Sequence, residues 1–186
     1  FRIRSLEESV SVSASAASDV YKGQSNLKAA MAVHGVDRGF MNAASPGVIS
    51  LFLQNDYYPT RDAYLAALAD AMRDEYEMIV ASGLDLQLDC PDLALSRHML
   101  FNHLSDAEFI KIAEAHVEAL NHALKNVPAE KVRIHICWGN YEGPHCCDIA
   151  MNKVFGTLMR VKAKYNLFEM SNPIHYNEWT VLTKRK

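Results

Sequence analysis

The chemistry of this chain is concentrated in residues 132–148, Val-Arg-Ile-His-Ile-Cys-Trp-Gly-Asn-Tyr-Glu-Gly-Pro-His-Cys-Cys-Asp. The stretch holds three of the four cysteines and two of the eight histidines. It opens as a strand and breaks into a loop punctuated by Gly139, Gly143 and Pro144. His135 and Cys137 are two positions apart, so on a strand they point to the same face. An imidazole and a thiol on one strand face offer a two-point grip for a metal. Zinc suits that pair, because it accepts nitrogen and thiolate sulfur at similar distances. The pair alone is equally compatible with a core histidine beside a buried cysteine. The long loop favours the metal, because parallel sheets place their chemistry where strands end.

Other candidates are read against plainer roles. Leu84, Leu86 and Leu88 alternate with Asp85, Gln87 and Asp89. Polar residues on an inward strand face are costly unless paired or used, and Asp89 could also simply cap the turn before Pro91. His145, Cys146 and Cys147 could replace a metal ligand, but read more simply as incidental members of a helix-entry loop. Asp148 reads as the N-cap of the helix beyond. Trp138, Asn140 and Tyr141 line a pocket mouth or pack the loop. His98, His103, His116 and His122 lie in or near helices as surface or packing residues.

The elements that must position these groups alternate. Residues 39–47 predict a short buried strand that breaks at Pro46 and Gly47. Thr60 predicts the N-cap of a helix whose Tyr64, Leu65, Leu68, Met72, Tyr76, Ile79 and Val80 recur at helical spacing, with Gly83 as its stop. Residues 84–89 form the next strand. Ser105 and Glu108 spell a capping box that opens a second long helix, ending before Pro128. The 131–137 strand, a helix from about 148 to 164 and a strand over 166–171 follow, and 175–181 reads as a helix start. Helical crossovers make the strands parallel. The expected fold is α/β with about four parallel strands: a partial (βα)8 TIM-type barrel or a small open sheet, since a closed barrel takes about 250 residues. Residues 26–34 predict a short helix stopped by Gly35, and residues 1–25 are a poorly defined segment, with 9–18 read as strand or loose tail. The domain is placed at 26–186.

At 186 residues there is room for one domain with a sizeable core. With 49% hydrophobic and 22% charged residues the chain is not of disordered composition. A net charge of -3 with scattered basic residues argues against nucleic acid or an anionic membrane surface as partner. No apolar run approaches the roughly 20 residues of a membrane span, and no secretory signal is seen. Adjacent Cys146 and Cys147 suit reduced thiols better than a disulfide framework, so the expected location is cytoplasmic. Unpaired sheet edges would favour self-association.

Four segments together carry a family resemblance: Phe-Met-Asn-Ala-Ala-Ser-Pro-Gly (40–47), Leu-Gln-Leu-Asp-Cys-Pro-Asp-Leu-Ala (86–94), His-Ile-Cys-Trp-Gly-Asn-Tyr-Glu-Gly-Pro-His (135–145) and Phe-Glu-Met-Ser-Asn-Pro (168–173). From about Gly39 to Trp179 the chain resembles the cobalamin-independent methionine synthases, in particular single-domain relatives of their C-terminal catalytic barrel. The resemblance implies a (βα)8 barrel binding one zinc ion, with methyl transfer from 5-methyltetrahydrofolate, or its polyglutamate, to homocysteine to form methionine. By the same match His135, Cys137 and Glu169 are zinc ligands, and Asp89 binds the homocysteine amino group. The alternative that the resemblance implies is a related zinc-dependent thiol alkyltransferase with another thiol as acceptor. The family's further cysteine ligand and its leaving-group acid lie beyond the point matched by Lys186. The chain is therefore expected to be an incomplete copy, either active in part or an inactive fragment.

Overall fold

The computed structural model describes residues 6–139, 143–170 and 172–183, with side chains from residue 19 onward. Four strands carry the fold: β1 (Phe40–Ala44), β2 (Asp85–Asp89), β3 (Val132–Ile136) and β4 (Tyr165–Phe168). They form one sheet in the order β1-β2-β3-β4, every pair parallel. Chain order and sheet order coincide, so crossovers of one hand put the helices on one face. This is the winding of a TIM-type barrel, here with four strands.

The helices are α1 (Leu6–His34), α2 (Pro46–Phe52), α3 (Arg61–Ala81), α4 (Leu95–Met99), α5 (Asp106–Ala123), α6 (Met151–Leu158) and α7 (Thr180–Thr183), with short 3-10 turns at Pro91–Leu93 and Ala129–Lys131. The Thr60 hydroxyl accepts from the Ala63 N–H at the start of α3, and Gly83 takes a φ of 93° just past its end. The Ser105–Glu108 capping box is formed on α5. Tyr64, Leu65, Leu68, Tyr76 and Ile79 of α3 are buried, as are Phe109, Ala113, Val117 and Leu120 of α5. These stripes pack on Leu86, Leu88, Val132, Ile134 and Ile136, each 0% exposed.

Several local expectations change. Pro46 and Gly47 do not break the chain into a loop; they begin α2, where Ser45 caps by accepting from the Val48 N–H at 3.1 Å. Proline is well placed there, since its missing N–H would have no helical partner. The 9–18 segment is neither strand nor tail but part of α1, whose end is the predicted 26–34 helix. Alternating small residues leave no face broad enough to tell the two periods apart. The helix expected over 148–164 is shorter, because Asp148 is drawn elsewhere and Ala150 stands at the cap without a side-chain bond. The strand read over 166–171 is β4, and Ser171 lies outside the described residues. Residues 172–179 are turns, and a helix starts only at Thr180. Among the described residues no helix is long and apolar enough to cross a membrane.

Candidate functional site

The strand pleat sorts the sheet into two chemistries. Val132, Ile134 and Ile136 face the helices, so Arg133, His135 and Cys137 face the other way. Parallel register pairs Gln87 with Arg133 and Asp89 with His135, and pairs Asn42 with Gln87 and Ala44 with Asp89. Register partners share a face, so the side of the sheet away from the helices is a polar wall. In a barrel this is the interior. The Gln87 side-chain oxygen Oε1 and the Arg133 Nε on this wall have no hydrogen-bond partner among the described residues.

Two clefts lie on that wall. One, of about 690 Å³, sits at the N-terminal ends of the strands, between Arg38, Phe40, Asp85, Arg133 and Tyr165. The other, of about 800 Å³, sits at the C-terminal ends and is lined by Asn42, Gln87, Asp89, His135, Cys137 and Glu169, among others. The second carries the donors, and it lies at the end of the sheet where parallel α/β folds place ligands.

All four residues singled out in the sequence, Asp89, His135, Cys137 and Glu169, thus line one cleft. Backbone bonds hold them there. The Cys90 N–H donates to the His135 carbonyl at 3.0 Å, the Leu95 N–H to the Cys137 carbonyl at 3.2 Å, and the Glu169 N–H to the Ile136 carbonyl at 3.1 Å. The last bond extends the β3–β4 register by one step and sets Glu169 beside Cys137. Burial pushes the Asp89 carboxyl up, an effect that His135 opposes and Asp92 reinforces. Burial also pushes the Cys137 thiol up; a backbone hydrogen bond from Gly139 works against it, and Asp89 and Glu169 add to it. Carboxylates crowd a thiol whose ionisation they oppose, and a divalent cation would reverse that balance. Two groups of three described side chains bring their ligating atoms within 4.8 Å of one another, and His135–Cys137–Glu169 is neither of them.

Those two groups draw on the loops after β3 and β4 and, for His98, on α4. One is His98, Cys146 and Cys147; the other is His145, Asp148 and His175. Asp148 is not a helix cap: its Oδ2 lies 2.8 Å from both His145 Nδ1 and His175 Nε2. His98 belongs to this region too, stacked on His145 with ring centroids 5.5 Å apart. The sequence signal was the His-x-x-Asp spacing of 145–148; nothing local linked it to His98 or His175. Trp138 is not at a pocket mouth. It is 0% exposed, donates from Nε1 to the Ile149 carbonyl at 2.7 Å and stacks on His175. Asn140 and Tyr141 lie outside the described residues. His116 is a packing residue, fully buried between Asp92 and Arg61, and His122 is half-exposed against Asp70.

A four-stranded parallel sheet wound like a TIM barrel thus carries imidazole, thiol and carboxylate donors at its C-terminal strand ends. Comparison with known proteins adds two relatives. The chain is 31% identical over 97 residues to the methionine synthase of Pyrococcus horikoshii and 29% identical over 97 residues to that of Pyrococcus furiosus. Each alignment covers 52% of this chain and 25% of the relative, so the chain spans about a quarter of the length of the curated proteins it matches. No protein-family model matches, and no solved structure matches significantly.

Proposed function

We propose that this chain carries the zinc site of a thiol methyltransferase, transferring methyl from 5-methyltetrahydrofolate or its polyglutamate to homocysteine to give methionine. His135, Cys137 and Glu169 would hold one zinc ion, and Asp89 would take the homocysteine amino group. The observation that carries the reading is the gathering of these four side chains, from three strands or their extensions, on one cleft wall. The partial similarity to two proteins named methionine synthase supports it.

The donor types fit zinc, which takes nitrogen, thiolate and carboxylate ligands and keeps a position open when catalytic. Bound there, zinc would deprotonate an acceptor thiol, which at neutral pH is otherwise mostly protonated. The chain's own residues do the rest. Cys137 and Glu169 bring negative charge that a cation compensates. Asp89, in register with His135, would offer its carboxylate to the substrate ammonium. Leu95 and Gly139 close the cleft on the loop side.

The test is methionine formation by zinc-loaded chain supplied with homocysteine and the methyl-folate donor, with other thiols as parallel acceptors. The proposal expects methionine, reduced about 100-fold or more by Cys137→Ser. Equal rates in chain and variant, or methylation of other thiols only, would refute it.

A further inference from the structure

The loops behind Cys137 contain a second set of metal-type side chains that the proposed methyl transfer does not use. The side chains of His145, Asp148 and His175 are 4%, 4% and 3% exposed. Both histidines point a ring nitrogen at the same oxygen, Asp148 Oδ2, at 2.8 Å. From its other side His175 meets Glu178, with Nδ1 3.2 Å from Oε2. The second oxygen of Glu178 accepts from the Met151 N–H at 3.1 Å, which fixes the carboxylate.

His116 shows how a satisfied buried histidine differs. Its Nδ1 faces Asp92 at 3.0 Å and its Nε2 faces an Arg61 N–H at 3.1 Å. One neighbour accepts and the other donates, so a neutral ring meets both needs. His175 has a carboxylate oxygen at each nitrogen. A neutral imidazole carries one N–H. If Nδ1 gives it to Glu178, the Nε2 lone pair points at Asp148 Oδ2, and two lone pairs at that distance repel unless a cation or second proton lies between. The other oxygen, Asp148 Oδ1, is buried without a hydrogen-bond partner among the described residues and lies 3.9 Å from His98 Nδ1. A histidine that donates from one nitrogen to a carboxylate and turns the other toward a second anionic donor has the arrangement of a metal ligand with its supporting group.

We infer that His145, Asp148 and His175 form a metal site, separate from the one proposed at His135 and Cys137, that takes a divalent transition ion of the zinc type. Two imidazoles and a carboxylate suit that ion. Tetrahedral ligands about 2.0–2.1 Å from zinc stand about 3.3 Å apart, so each 2.8 Å contact to Asp148 would lengthen by about half an ångström to admit it. The ion ties the loop after β3 to the turns after β4. Because His175 stacks on Trp138 at 4.6 Å, it also braces the residue next to Cys137. His98 with Cys146 and Cys147 is a softer, more exposed alternative that the test must separate.

For the test, the chain carrying His135→Ala and Cys137→Ser is stripped with a chelator and titrated with Zn2+ against a chromophoric competitor. The inference expects one zinc per chain. Adding Asp148→Asn should weaken binding about 100-fold, and Glu178→Gln about tenfold. Cys146→Ser with Cys147→Ser should leave it unchanged. No binding, binding that survives Asp148→Asn, or binding lost with the two cysteines overturns the inference. A second measurement needs no variant. Co2+ added to the unmodified chain should include an ion bound without sulfur charge-transfer absorption, and should slow amide exchange across both 143–148 and 172–179. Exchange left unchanged in those segments at saturating Co2+ overturns it as well.

Discussion

The two faces of one sheet obey different rules. Toward the helices, Leu86, Leu88, Val132, Ile134 and Ile136 are wholly buried and make no polar demands. On the opposite side, one residue away along the same strands, stand Asn42, Gln87, Asp89, Arg133, His135 and Cys137. Backbone pairing is shared, so it cannot explain the contrast. Packing shape sets the first face. On the second, the chemistry of each group is what matters, and stability gains little from it.

The sharpest way to break this comparison is to shorten a side chain on the packed face. Leu88→Ala should cost about 3 kcal/mol of unfolding free energy, measured by urea denaturation. His135→Ala, on the open face of the neighbouring strand, should stay within about 0.5 kcal/mol of the parent in metal-free buffer. Equal losses would mean that both faces are core.

A smaller effect is expected where a polar network sits inside the packed side. Asp92 accepts from the Ser45 hydroxyl at 2.6 Å and pairs with His116 at 3.0 Å, and a Cβ on Gly47 would sit 2.0 Å from its Oδ2. Asp92→Ala leaves the buried hydroxyl and imidazole without their acceptor and should cost about 2 kcal/mol by the same denaturation. Asp92 is the point at which α2 and α5 are tied to the β2 turn.

The smallest effect lies at the base of the open face. Burial alone would raise the Asp85 carboxyl, but hydrogen bonds and charge from Lys131 and Arg38 outweigh it and hold it below the usual range. A depressed folded-state pKa adds stability above the unfolded carboxyl value, near about pH 4, and loses it as the pH falls through the folded value. Asp85→Asn should therefore cost about 0.5–1 kcal/mol at pH 7, since both cationic partners are substantially exposed. The gap should close in acid, as followed by thermal melts across pH.

Alternation and caps made much of this fold legible. The Leu84–Leu86–Leu88 and Val132–Ile134–Ile136 periods define one sheet face, and Thr60 and the Ser105–Glu108 box start their helices as read. Pro46 reads as a break because Pro-Gly punctuates loops, yet the pair also opens helices, and here the Ser45 side chain caps one. The Asp89–His135 pairing follows from register, which a single strand does not encode. The Asp148 cluster was hidden for a similar reason. Its partners His98 and His175 lie 50 and 27 residues away and meet it only through the fold. A residue that looks like a cap in sequence can be claimed by a stronger long-range partner.

The most direct test of the open face as a metal-bearing, thiol-activating surface is the absorption spectrum of the chain loaded with Co2+. The account predicts a sulfur-to-metal charge-transfer band that disappears in Cys137→Ser and changes when homocysteine is added. A chain that shows no such band, or a band that persists in Cys137→Ser, would contradict it.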